Sequence, residues 1–359
     1  MRKILLGSLL FACAGVAAAA PGGVAVRLDT SAEPADIGSG KLVFTLSNNG
    51  ATPMHVLRWQ TPFDGVTTDL FHVERDGADV AYIGPMYKRA APTAKDYIEL
   101  APGESRTVEV DLSAYYDMKL GGQYAVTYAR DANSAVLEAT QASKAGVAAT
   151  AALSTQAVTV WVDGGADALD SLDEAQAVEA MRAAPTPRAA TNSFVSCNNT
   201  RQTQLVTARS SAVTYATNAK SYLDAGTAGS RYTWWFGTYS STRYATIKTH
   251  YTNLKSALSS QAYTFDCSCT DSGTYAYVYP TQPYRVYLCG AFWSAPNTGT
   301  DSRAGTLVHE SSHFNVIAGT DDWAYGQTAA HKLATSNVSH AIDNADSHEY
   351  FAENNPARN

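Results

Sequence analysis

Hydrophobic and polar positions change their rhythm part-way along the chain. Between residues 24 and 162 apolar side chains alternate with polar ones in short runs: Lys41–Leu46, Thr107–Leu112, Gln123–Tyr128 and Ala157–Val162. Gly, Pro, Asn and Asp clusters separate them, the pattern of an antiparallel β-sandwich. The period then lengthens. Residues 166–183 predict a helix, 185–191 with Pro185 and Pro187 read as an exposed and cleavable linker, and from about Asn192 the chain reads as mostly helical. Long helices are expected over 203–224 and 240–259, a small β region over 262–289, and further helices over 303–318, 325–335 and 337–352. The predicted fold is therefore multidomain: an N-terminal β-sandwich (20–163), a helical segment with linker (164–191), and a mainly α domain with a little β structure (192–359).

The first 19 residues stand apart. Arg2 and Lys3 precede an apolar run ending in Ala17–Ala19, which reads as a secretory signal peptide cut before Ala20. No later stretch is long and apolar enough to span a bilayer, so a secreted protein with no membrane partner is expected. Of five cysteines, Cys13 lies in the leader. Cys197, Cys267, Cys269 and Cys289 form an even set in the C-terminal half, which suits two disulfides in an exported protein. The net charge of -7 comes from upstream of residue 192, where acids outnumber bases; beyond it 11 basic residues balance 11 acidic ones. Neither half carries a basic stripe, which argues against a nucleic-acid partner.

The chemistry concentrates in His309-Glu310-Ser311-Ser312-His313. Histidines four apart on a helix share a face, so both imidazoles can reach one Zn²⁺ while Glu310 sits beside the open position. A catalytic zinc needs three protein ligands and an exchangeable water, and Glu310 is the natural general base for that water. The third ligand is left open by the residues alone. The glycine and third histidine of a metzincin are missing, since those positions hold Val316 and Gly319, and Glu349 lacks the surroundings of a gluzincin ligand. Asp321 and Asp322 are both near enough, and either could equally be a turn residue.

The pair HESSH and GTDDWAYG (319–326) resembles the aspzincin pattern, closest to the peptidyl-Lys metalloendopeptidases and more distantly the deuterolysins. The resemblance spans the C-terminal half and, more weakly, the N-terminal half. It implies a zincin-like catalytic domain with one Zn²⁺ on His309, His313 and Asp322, Glu310 as base, and Tyr325 polarising the scissile carbonyl. It implies disulfides Cys197–Cys267 and Cys269–Cys289, cleavage on the amino side of lysine, and a β domain acting as a propeptide. Asp346 and Glu349, three apart on the final helix, match the family's acids for the lysine ammonium.

The expectation is a secreted, monomeric zinc endopeptidase made as a zymogen, acting on protein or peptide substrates and inhibited by its own propeptide. Lys88, in the proline-bracketed stretch 84–92 expected to be a loop, is the candidate side chain that plugs the lysine pocket, with Lys95 a second candidate. A zinc amidase on a non-peptide amide, or a secreted binding or adhesion protein with a structural zinc, are the alternatives. His55, His72, His250, His331, His340 and His348 are read as surface or packed imidazoles.

Overall fold

The computed structural model describes residues 23–33, 36, 38–130, 136–138, 153–163 and 191–359. The expected signal peptide, the 166–183 helix and nearly all of the linker lie outside the described residues.

The N-terminal region is antiparallel β structure. Val24–Thr30, Lys41–Asn48 and Ser105–Asp111 pair in that order. Gly122–Arg130 lies between Phe71–Arg75 and Val158–Val162. A smaller sheet joins 136–138, Met54–Leu57 and Tyr97–Leu100. The alternation read in the sequence is what buries one face: Leu42, Phe44 and Leu46 point inward from one strand, Tyr124, Val126 and Tyr128 from another. The Phe44 and Tyr128 rings meet edge-on at 5.2 Å in that core.

Among the described residues the C-terminal half carries eight helices: α1 (Asn199–Asp224), α2 (Ser230–Phe236), α3 (Ser241–Ser260), α4 (Gly290–Ser294), α5 (Arg303–His313), α6 (Gln327–Ser336), α7 (Val338–Ile342) and α8 (Ala345–Glu353). Leu205, Ala208, Ala212, Ala216, Ala219 and Leu223 recur at helical spacing and form the buried stripe of α1. Small alanines on that stripe let α3 and α5 approach closely.

Three expectations need correction. The 303–318 helix stops at His313, because Phe314 turns extended and residues 314–319 close a turn on the Phe314 carbonyl. The 337–352 helix is two, α7 and α8, because the Asp343 carbonyl and the Ala345 amide are taken by the backbone of Asp321. The short α2 and α4 were not foreseen.

The stretch 84–92 is the third correction. It holds a strand, Met86–Arg89, rather than a loop. Ser193–Val195, Thr264–Asp266, Arg285–Leu288 and Thr274–Val278 form the sheet of the C-terminal half, and Met86–Arg89 adds to its edge as a fifth, antiparallel strand. Met86 and Lys88 alternate inward as a strand requires, and Pro85 and Pro92 fall outside the paired residues. A segment of the N-terminal half thus completes a sheet of the C-terminal half by edge pairing.

Two disulfides, Cys197–Cys267 and Cys269–Cys289, tie the start of the C-terminal half to this sheet in the pairing the resemblance implied. They close separations of 70 and 20 residues, constraining the unfolded chain. Among the described residues no helix is long and apolar enough to cross a membrane.

Candidate active site

Helix α5 is buried along nearly its whole length and positions the two histidines. Its N-terminus is capped by Ser302, whose hydroxyl accepts from the Gly305 amide and donates to Glu353. Gly305 is required by close approach: a Cβ there would lie 2.1 Å from Glu353 Oε1 and 2.8 Å from Glu349 Oε1. The absent side chain leaves room there for the Glu349 and Glu353 carboxylates of α8.

His309, His313 and Asp322 converge, with one ligand atom from each lying within 4.8 Å of the others. Asp322 Oδ1 is 3.3 Å from His309 Nε2 and Oδ2 is 3.5 Å from His313 Nε2. The turn after α5 makes this possible: His313 Nδ1 donates to the Thr320 carbonyl at 2.7 Å, which fixes the ring and holds the chain so that Asp322 folds back. His309 Nδ1 faces Asp346 Oδ1 at 2.8 Å. Both imidazoles therefore turn Nε2 to the centre.

Those inward atoms are fully buried and without hydrogen-bond partners: His309 Nε2, His313 Nε2 and both carboxylate oxygens of Asp322. Two imidazole nitrogens and a carboxylate orphaned around one point are a donor set for a zinc-like cation. Burial pushes the His313 pKa down to about 4, which keeps its ring neutral and available as a ligand. Asp322 is held below its ordinary range: burial alone would raise it, but the two histidines outweigh that.

The neighbouring Asp321 points elsewhere. Its Oδ1 accepts from the Asp322 amide at 2.9 Å and from Thr68 Oγ1 of the N-terminal half at 3.3 Å. The register left open between the two aspartates is thus resolved by geometry, with Asp322 beside the histidines.

Beside this centre lies an acidic pocket holding one cation. Lys88 is fully buried, its Nζ 2.5 Å from Glu349 Oε2, 3.3 Å from Asp346 Oδ1 and 3.5 Å from Asp301 Oδ1. The rings of Tyr275 and Tyr350 stand 5.2 and 5.8 Å from the ammonium. Burial would lower the Lys88 pKa, but the three carboxylates overcome this and hold it charged well above the ordinary value. Asp346 is pulled below its usual range by Lys88 and His309 against the effect of burial. Its Oδ2 also accepts from the Gly326 amide at 2.6 Å. Gly326 has φ +86, a conformation that favours glycine, and a Cβ there would lie 2.7 Å from Ala91 Cβ.

The backbone around Lys88 is placed as tightly as its side chain. The Lys88 amide donates to Glu310 Oε1 at 3.3 Å. The Tyr325 hydroxyl donates to the Tyr87 carbonyl at 2.7 Å. Glu310 is fully buried, and this pushes its pKa up to about 8. Tyr325 is likewise raised well above its ordinary value by burial and stays protonated. A carboxyl group with a pKa raised to about 8 and a phenol donor therefore flank one peptide bond, Tyr87–Lys88.

The Lysine-specific metallo-endopeptidase (aspzincin) family matches residues 221–353. An extracellular protease of Aeromonas hydrophila is 46% identical over 322 residues, covering 88% of each chain. A peptidyl-Lys metalloendopeptidase of Grifola frondosa is 38% identical over 353 residues, 96% of each chain. The chain belongs to the aspzincin metalloendopeptidases. It is a zinc-family hydrolase of peptide bonds, which removes the adhesion alternative. A peptidyl-Lys metalloendopeptidase of Pleurotus ostreatus is 61% identical over 165 residues, 98% of that protein but 46% of this chain. Less than half of this aspzincin thus corresponds to nearly the whole length of that relative.

Three features of the site escaped the sequence. Asp301, the third acid around the ammonium, lies apart from the motif and has φ +50. Arg89 stacks on the Trp59 ring at 5.2 Å and donates to the Tyr325 hydroxyl at 3.3 Å. His250 Nδ1 meets His348 Nε2 at 2.9 Å, so two imidazoles read as isolated form a pair.

Proposed function

We propose that this aspzincin is a secreted zinc endopeptidase, made as a zymogen and acting as a monomer, that cleaves peptide bonds on the amino side of lysine. The observation that carries this reading is Lys88, seated fully buried among three carboxylates while its amide faces Glu310. Residues 1–19 serve as signal peptide, 20–163 as propeptide, 164–191 as the segment cut on maturation, and 192–359 as the enzyme.

In this reading His309, His313 and Asp322 hold one Zn²⁺, which supplies Lewis acidity to water and to the scissile carbonyl. Glu310 takes the proton of the attacking water and returns it to the leaving nitrogen. Tyr325 donates to the carbonyl oxygen as charge develops on it. Asp346, Glu349 and Asp301 receive the substrate's lysine ammonium. Carboxylates gathered within 2.5 to 3.5 Å of a single nitrogen suit a compact ammonium rather than the planar fork of arginine. That cation selection also favours a protein substrate over a generic amide. Lys95 is exposed and takes no part.

Lys88 fills the pocket, and the propeptide inhibits by occupying the cleft as a substrate would. The test is the initial rate of the freshly purified full-length protein on a fluorogenic X-Lys peptide. Lys88→Ala should raise it at least tenfold over the wild type. Equal rates would show that Lys88 is not the plug.

A further inference from the structure

We infer that the Tyr87–Lys88 peptide bond is a substrate bond as well as a plug, hydrolysed by the same chain's own catalytic half. This rests on the lysine-directed peptidase reading above and goes beyond it, because a blocking segment need not be cleavable.

The placement of the bond argues for cleavage. Inhibition needs only a filled pocket. Here the carbonyl and the amide of one peptide bond each meet a different catalytic group: Tyr87 O accepts from Tyr325 Oη at 2.7 Å, and Lys88 N donates to Glu310 Oε1 at 3.3 Å. The residues on both sides are paired antiparallel with the edge strand, Met86 with Val278, Tyr87 with Tyr277 and Lys88 with Ala276, and after a bulge at Tyr275 Arg89 with Thr274. Side chain, carbonyl, amide and strand register therefore agree on one bond, the orientation that brings a reacting group close to its catalyst.

Arg89 adds a charge where the reaction needs one. Its Nη1 donates to Tyr325 Oη at 3.3 Å, and that hydroxyl donates to the Tyr87 carbonyl. A positive group one hydrogen bond behind the phenol favours negative charge growing on the Tyr87 oxygen.

The step balances as a hydrolysis. Water oxygen bonds to the Tyr87 carbonyl carbon, the bond from that carbon to the Lys88 nitrogen breaks, and both water protons end on that nitrogen, passed there by way of Glu310. The products are a Tyr87 carboxylate and a Lys88 α-ammonium. Both ends remain held: Tyr87 stacks on the Tyr277 ring at 4.9 Å, and the Lys88 side chain keeps its three carboxylates. The cut is therefore slow to release its products, and the cleft stays occupied until the propeptide dissociates. The segment is a slow substrate whose cleavage begins the clearance of the propeptide.

The test uses the full-length protein and two readouts. First, an amine-acylating reagent is applied to the Glu310→Gln protein, and modification is mapped by mass spectrometry. Buried Lys88 should be acylated at least tenfold more slowly than exposed Lys95, whether or not metal is present. Second, the wild type is incubated at neutral pH over a hundredfold range of concentration and its termini are sequenced. A new N-terminus at Lys88 should appear at a rate independent of concentration, and it should be missing from Glu310→Gln and Lys88→Ala. Lys88 protected yet never cut, in a preparation that cleaves X-Lys bonds of added peptides, overturns self-cleavage and leaves the proposed function standing. A cut that persists in Glu310→Gln also overturns it. Lys88 acylated as fast as Lys95 overturns the seating on which both rest.

Discussion

The Tyr325 hydroxyl donates to the Tyr87 carbonyl at 2.7 Å, which places a residue of the aspzincin motif on a backbone oxygen of the N-terminal half. If this hydroxyl polarises the scissile carbonyl, Tyr325→Phe should lower kcat by about 100- to 1,000-fold, the range for losing one oxyanion donor. KM and zinc content should change little. Steady-state kinetics with metal analysis checks this, and an unchanged kcat would remove Tyr325 from the reaction.

Glu310 keeps one carboxylate oxygen buried and unpartnered beside His309, His313 and Asp322. Glu310→Gln should keep the fold and zinc and lose activity by roughly 10²- to 10⁴-fold, as expected for a lost general base. Asp322→Ala should lose zinc, whereas Asp321→Ala should retain it, because Asp321 turns to Thr68 and the backbone. Equal zinc occupancy in the two aspartate variants would discard the ligand set.

The two acids on α8 are not equivalent. Asp346 lies 2.8 Å from His309 Nδ1, so Asp346→Asn should weaken zinc by about 10- to 100-fold as well as lysine recognition. Glu349 makes the shortest contact to Lys88, at 2.5 Å. Glu349→Gln should cut kcat/KM for X-Lys peptides by about 100-fold while retaining zinc more firmly than Asp346→Asn. Titrating both variants with a zinc chelator separates the effects.

Asp343 offers a pH test away from the lysine pocket. Burial raises its pKa to about 6, and Asp69 adds to the rise while Trp323 and His340 oppose it. An acid with a raised folded pKa stabilises the fold while protonated and loses that advantage as pH climbs. The loss should run from about pH 4 to 6, the interval between the unfolded and folded values, and amount to about 3 kcal/mol. Asp343→Asn should therefore be more stable than the wild type at pH 8, with the difference shrinking below pH 5. Thermal melting at both pH values checks it, and a constant difference would refute the assignment.

Much of this site was legible because its signals are local. The four-residue spacing of His309 and His313 places both on one helical face wherever that helix sits, and the alternation in Lys41–Leu46 fixes which face of a strand is buried. What escaped depends on contacts between distant segments. Nothing near Asp301 signals that it will meet Lys88, 213 positions away by their numbers. The strand character of Met86–Arg89 was hidden by its flanking prolines, since its partner belongs to the other half of the chain and the strand exists by that pairing. Asp322 was distinguishable from Asp321 only by the family pattern, because the turn that separates them is fixed by His313 Nδ1 donating to the Thr320 carbonyl and the Asp321 amide donating to the Asp343 carbonyl.

Mapping the cleavage sites of the mature enzyme tests lysine selection by a zinc endopeptidase. A mixed protein digest analysed by mass spectrometry should give new N-termini that begin with lysine, with the pattern abolished in Glu310→Gln. New N-termini spread over other residues, or beginning with arginine as often as with lysine, would contradict the account.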